Sequence, residues 1–236
     1  MSYDLWYWSG IQGRGEFVRL PMEAAGIAYR DCARERGDDA LVADLKARRP
    51  KGPFAPPYLV MDGICIAQVA HILTWLADRH DLAPSGDDAR TLWLIQLQLT
   101  ITDVVAEVHN VHHPVDAGDY YEGQKPEAAR AAFQFREVRL PKFLRYFDDA
   151  VGASGGEWAG GARWSPADTS LFQLVEGLTY MFPRRMAAIA GDYPHLHRLR
   201  DQVAALPGVA DYLRSDRRIG FNQQGIFRHY PELDAA

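Results

Sequence analysis

Apolar positions along the chain come in short runs and short helical stripes up to about residue 82, and after it they recur only at helical spacing. Residues 3–8 are rich in aromatics and run into Ser9, Gly10, Gly13 and Gly15, the pattern of a strand entering a glycine-loosened loop. A helix is expected over 16–25, with Phe17, Leu20 and Ala24 on one side, Pro21 inside it and Gly26 as a left-handed cap. Residues 27–33 read as a second strand and 39–48 as a short helix carrying Leu41, Val42 and Leu45. Two short apolar runs, 58–61 and 64–66, flank Asp62-Gly63, a dipeptide suited to a type I′ hairpin turn. A helix over 68–79, with Ile72, Leu73 and Leu76 inward, completes the order β-α-β-α-β-β-α.

Residues 82–88 combine proline, serine, glycine and aspartate and read as a linker. Beyond it the pattern predicts helices over 88–113 and 126–151, then shorter ones opening at Pro166, Pro194 and Pro207, where a residue without an amide hydrogen suits the first turn. The expected organisation is therefore a mixed α/β domain over 1–81, a linker over 82–88 and an all-helical bundle over 89–236.

Composition alters this picture little. The 236 residues are 47% apolar and 24% charged, which suits a globular chain with a sizeable core. A net charge of −5 and a pI near 5.9 provide no global positive field for nucleic acid or an anionic membrane, so neither is expected as a partner. No stretch approaches eighteen uninterrupted apolar residues and no basic segment opens the chain, so the expected location is the cytoplasm. Cys32 and Cys65 are too few for a disulfide framework, form no C-x-x-C pair, and read as small buried apolar residues.

Three motifs carry a resemblance that covers nearly the whole chain. They are Leu5-Trp6-Tyr7-Trp8 followed by Gly13-Arg14-Gly15-Glu16 and Arg19; Pro57-Tyr58-Leu59 with Asp62-Gly63, Ile66-Ala67-Gln68 and Ile72; and Ser165-Pro166-Ala167-Asp168. Together they resemble the cytosolic glutathione transferases of the tyrosine type (alpha, mu, pi and sigma). The last motif is also a capping box that would start a helix.

The resemblance implies an α+β fold: a thioredoxin-like N-terminal domain with a mixed four-stranded sheet, followed by the all-α C-terminal domain. It further implies a detoxification enzyme, a cytoplasmic homodimer that conjugates the glutathione thiolate to a small apolar electrophile, with glutathione as co-substrate and no metal. A glutathione-dependent isomerase, dehalogenase or peroxidase, or a non-catalytic glutathione-binding scaffold protein, would share these motifs. Tyr7 corresponds to the thiol-activating tyrosine, with Ser9 as the alternative hydroxyl in the same loop. Glutathione-binding roles are implied for Trp8, Arg14, Pro56, cis-Pro57, Gln68 and Val69, and for Asp103 reaching across a dimer. One of Lys46, Arg48, Arg49 and Lys51, with Lys51 preferred, would meet the glycyl carboxylate, and Phe54 would plug into the partner subunit.

Two departures from the family pattern bear on binding. Pro56 has no N–H where the residue before the cis-proline usually donates one, and Val69 replaces a usual serine. Weaker glutathione binding is expected. One or two of His109, His112 and His113 are read as lining the electrophile pocket rather than as metal ligands, the rest as helix surface, and Tyr120, Tyr121, Phe221, Phe227 and Tyr230 either complete its wall or pack the domain.

Overall fold

Side chains two apart on a strand share a face, so β1 (Tyr3–Trp6) is buried on both sides: Leu5 faces one layer and Trp6 the other. This places β1 inside a sheet with cover above and below. The computed structural model describes residues 2–83 and 87–235, and the middle of the expected linker, 84–86, lies outside the described residues. Four strands run in the order β2 (Tyr29–Asp31), β1, β3 (Tyr58–Met61), β4 (Ile64–Ala67). The first pair is parallel and the others antiparallel, giving the mixed sheet expected of a thioredoxin-like domain. The β3–β4 hairpin turns at Asp62 and Gly63 with φ of 48° and 78°, the two positive values of a type I′ turn.

Helices α1 (Glu16–Ala24) and α4 (Val69–Arg79) cover one face of the sheet, and α2 (Cys32–Arg36) and α3 (Asp38–Ala47) cover the other. The second strand is shorter than the predicted 27–33, because Cys32 and Ala33 belong to α2, where they fill a small core with Trp6, Leu41 and Tyr58. Burial of Cys32 and Ala33 is what the pattern detected; it did not distinguish a strand from a helical turn.

The remainder is helical: α5 (Asp88–Val111), α6 (Lys125–Gln134), α7 (Leu140–Gly152), α8 (Pro166–Met181), α9 (Pro183–Ile189), α10 (Pro194–Ala205) and α11 (Pro207–Arg214). The predicted helix over 126–151 is α6 and α7 joined by a π-helical segment, Phe135–Arg139, in which the Leu140 amide reaches back to the Phe135 carbonyl. That widened turn falls just before Pro141, which cannot supply the next helical hydrogen bond. Helix α9 was not foreseen. Helix α5 is long and apolar enough to cross a membrane by length and composition, yet Leu94, Leu97, Ile101, Val104, Val105 and Val108 bury one side of it in the common core. That core continues from the sheet through α1 and α4 into the helical layer without a break. Helices α1 and α11 approach so closely that a Cβ at Gly208 would lie 2.0 Å from the Glu23 carbonyl oxygen.

Candidate active site

Tyr7 follows the last residue of β1, and its ring lies over the turn Gly13–Gly15. A Cβ on Gly13 would stand 2.1 Å from Tyr7 Oη, and one on Gly15 2.6 Å from the ring, so glycine is required at both positions by close approach. Gly13 also adopts a φ of +45°. The Arg14 amide donates to Tyr7 Oη at 2.8 Å. Tyr7 is only 4% exposed, and burial pushes its phenol above the ordinary value near 10, so the hydroxyl keeps its proton. The Arg19 guanidinium lies 5.9 Å from the centre of the Tyr7 ring; it is fully buried and ion-paired to Glu16 (3.3 Å) and Asp31 (2.8 Å). Trp8 is partly exposed at the strand end, while Ser9 has its amide held by Asp38 Oδ1 at 2.9 Å.

The loop between Tyr7 and Gly13 is held from the far end of the chain, a contact that sequence spacing does not reveal. Gln12 accepts from Gln173 Nε2 of α8 at 2.8 Å and donates to the Ile219 carbonyl. Asn222 Nδ2 donates to the Gly10 carbonyl at 2.9 Å. Gln12 and Gln173 are buried polar residues with no charge or motif to mark them.

On the opposite edge, the Pro56–Pro57 peptide is cis, as expected for Pro57, and Arg49–Pro50 is cis as well. Gln68 holds a φ of +70° and a ψ of 122° immediately before α4, a sparsely populated backbone state for a residue with a side chain. Its carbonyl accepts the Ile72 amide at 2.8 Å, and Val69, the first residue of the helix, is buried. Four candidate cations reduce to three, since Arg48 is engaged by Asp44 at 2.6 Å and lies over the Tyr58 ring. Lys51 is exposed. Asp103 points outward from α5, as do Leu92 and Leu99, and Phe54 is 84% exposed.

The three histidines of α5 pack against one another with centroids 4.7 to 5.3 Å apart. His112 Nε2 meets the Ile226 carbonyl at 2.8 Å and His113 Nδ1 the Asp119 carbonyl at 2.9 Å. Burial lowers all three, His109 to about 4 and His112 to about 3, with Arg14 and Arg228 adding like charge at His109, so the rings are neutral near pH 7. Among the described residues no group of His, Cys, Asp and Glu has metal-binding geometry. The aromatic tail closes over this region: Phe221 stacks on Tyr180 at 4.9 Å and Tyr230 on Tyr121 at 3.8 Å, while Tyr120 is exposed. Arg228, at the centre of that tail, carried no sequence signal.

At the start of α8 the Asp168 carboxylate accepts from the Ser165 amide and hydroxyl, both at 2.8 Å, and from the Ala159 amide at 2.8 Å. The expected capping box is present.

The chain is similar to known proteins over most of its length. Residues 109–216 match the family model described as glutathione S-transferase, C-terminal domain. Glutathione S-transferase A3 of Mus musculus is 25% identical over 211 residues, covering 89% of this chain and 87% of the relative. Glutathione S-transferase alpha-3 of Rattus norvegicus is 26% identical with the same coverage. Among solved structures, the Pi-class glutathione S-transferase of Onchocerca volvulus superposes with a TM-score of 0.74 at 20% identity, covering 94% of this chain and 99% of that one. Prostaglandin synthase D of Nilaparvata lugens gives 0.70 at 18%, covering 92% and 98%.

Proposed function

We propose that this chain, which belongs to the glutathione transferase family, binds glutathione beside Tyr7, ionises its thiol there, and joins the intact glutathione through its sulfur to an apolar electrophile held against the helical layer. The observation that carries this reading is the 2.8 Å hydrogen bond from the Arg14 amide to Tyr7 Oη. With that amide occupying a lone pair and burial keeping the phenol protonated, the Tyr7 O–H is left to donate outward to an anion.

A free thiol ionises near 8.5, and lowering that by about two units requires roughly 2.7 kcal/mol of preference for the thiolate. One hydrogen bond to an anion contributes about 1.5–3 kcal/mol. A single tyrosine therefore meets most of the requirement. The thiol proton leaves to solvent, and the thiolate sulfur then forms a bond to the electrophilic carbon while that carbon expels its leaving group as an anion or, where the sulfur adds across an activated double bond, the displaced electron pair takes a proton from solvent.

In this reading Arg14 adds a cation beside the sulfur, and Trp8, Pro56 and Pro57 line the cysteinyl part. Gln68 and the Val69 amide receive the γ-glutamyl carboxylate at the start of α4, where unpaired amides favour an anion, and Lys51 meets the glycyl carboxylate. The neutral histidines and the aromatic tail form the electrophile wall. A second copy of the chain would bring Asp103 across to the γ-glutamyl amine and seat Phe54, making the working form a cytoplasmic homodimer suited to detoxification. The 1–81 and 89–236 division assigns glutathione to the first part and the electrophile to the second.

The test is a pH titration of bound glutathione by its ultraviolet thiolate absorbance in the wild type and in Tyr7→Phe. A depressed thiol pKa that returns toward the free value in Tyr7→Phe supports the reading. Binding with an unshifted thiol in both would favour the scaffold alternative, and an unchanged pKa in the variant would move the role to Ser9.

A further inference from the structure

Gly13 and Gly15 have no side chains to anchor the turn that aims the Arg14 amide at Tyr7 Oη, and Gly10 loosens the approach to it. The anchor is Gln12, which the fold grips twice. Its carbonyl accepts the Glu16 amide at 3.0 Å and Arg19 Nη1 at 3.4 Å. Its side chain, 5% exposed, meets Gln173 of α8, a fully buried residue 161 positions further along the chain.

The direction of each hydrogen bond in this anchor follows from one cation. Arg218 can only donate, so the Gln173 oxygen faces it, 3.4 Å from Nη2, while Arg218 Nη1 holds Glu16 at 2.8 Å. The Gln173 nitrogen is thereby turned to Gln12 Oε1 at 2.8 Å, and the Gln12 nitrogen to the Ile219 carbonyl. All four polar atoms of the two carboxamides are paired. Such a pair out of water adds little net stability over two apolar side chains of the same shape. What it adds is a fixed position for Gln12.

We propose that Gln173 is a positioning residue for thiol ionisation. It acts through Gln12, whose fixed side chain sets where the following turn lies and hence the distance and angle of the Arg14 amide to Tyr7 Oη. A hydrogen bond weakens steeply as its length and angle drift. A tyrosine oxygen that accepts a good one is polarised into a stronger donor toward the thiolate. The helical layer thus takes part in the acidity of a thiol that the sheet layer binds. The inference rests on the transferase reading and adds to it a residue that reaches the thiol only through Gln12, Arg14 and Tyr7.

The experiment is the pH titration of bound glutathione by its thiolate absorbance, at saturating glutathione, in Gln173→Leu, in Gln12→Leu combined with Gln173→Leu, and in Val175→Ala. The last is a core truncation on the same helix that weakens packing without removing a member of the relay. Gln173→Leu is expected to raise the thiol pKa by about one unit, which leaves about a tenth of the thiolate at pH values below it. The double variant, which leaves no unpaired carboxamide and so folds even where the single one does not, is expected to show the same rise. Val175→Ala is expected to lose stability to urea with the thiol pKa unmoved. In a Tyr7→Phe background Gln173→Leu should add nothing. An unmoved thiol in the leucine variants overturns the proposal, as does an equal rise in Val175→Ala or a further rise on top of Tyr7→Phe. A wild-type thiol with the pKa of free glutathione overturns the transferase reading itself, and this inference with it.

Discussion

Tyr7 owes its setting to what its neighbours lack. Gly13 and Gly15 have no side chains, so the phenol can lie on their backbone and receive the Arg14 amide. Gly13→Ala would place a methyl group on the hydroxyl and strain a φ of +45°, displacing the ring. We expect this variant to fold, and to lose about ten- to a hundredfold in kcat/KM with a known electrophile, as Tyr7→Phe would, since both remove one charge-assisted hydrogen bond of about 1.5–3 kcal/mol. Steady-state kinetics on the pair checks it, and an unaffected Gly13→Ala would separate the tyrosine from the chemistry.

His112 provides the residue-scale pH prediction. Its ring takes a proton near 6.5 in the unfolded chain and only at about 3 in the fold, because it is buried. Between those values the unfolded state holds more protons, so stability falls as pH falls through the window, by about 1.4 kcal/mol per unit for one group. His112→Gln keeps a donor for the Ile226 carbonyl but does not titrate. Urea midpoints at neutral pH and about two units lower should show a shallower acid loss in that variant.

At the scale of elements, the first turn of α4 and the segment before β3 form the other half of the proposed glutathione clamp. Gln68 persists at φ +70°, a state that costs on the order of 1–3 kcal/mol and that is retained where surrounding structure over-determines it, frequently at ligand clamps. Pro56 works against the clamp, since it accepts but cannot donate. Pro56→Val restores the amide hydrogen next to the cysteinyl position. Glutathione affinity should rise about tenfold, the equivalent of one hydrogen bond near 1–1.5 kcal/mol. Calorimetry decides it, and unchanged affinity would mean that the ligand does not use this edge.

For the whole molecule, the decisive feature is that the sheet layer and the helical layer share one core and one buried polar hub. Fully buried Glu16 takes Arg19 at 3.3 Å, Arg218 at 2.8 Å and the Tyr212 hydroxyl at 3.2 Å, joining α1 to α11 and to the tail that holds Gln12. Glu16→Leu leaves Arg218 without its carboxylate, and leaves Arg19 with the Asp31 carboxylate and the Gln12 carbonyl. Removing one partner of a buried pair typically destabilises by about 3–5 kcal/mol. Urea unfolding followed by far-ultraviolet dichroism and tryptophan fluorescence should show that loss in both probes together. A loss confined to one probe would mean that the layers unfold separately.

The sequence by itself determined the elements that local chemistry dictates. Asp62-Gly63 specified its hairpin because few residues tolerate two positive φ values, Ser165 to Asp168 its helix start, and Tyr7, Gly13 and Arg14 their loop, because close approach leaves glycine little alternative. It misread Cys32 and Ala33, and missed α9 and the π segment before Pro141, where burial is the same for a strand or a helix and only packing chooses. Tertiary structure alone decided which distant groups meet: Gln12 with Gln173 and Ile219, and His112 with Ile226. Such contacts join residues far apart in sequence through ordinary polar side chains, whose partners are set by how the layers stack and leave no periodic trace along the chain.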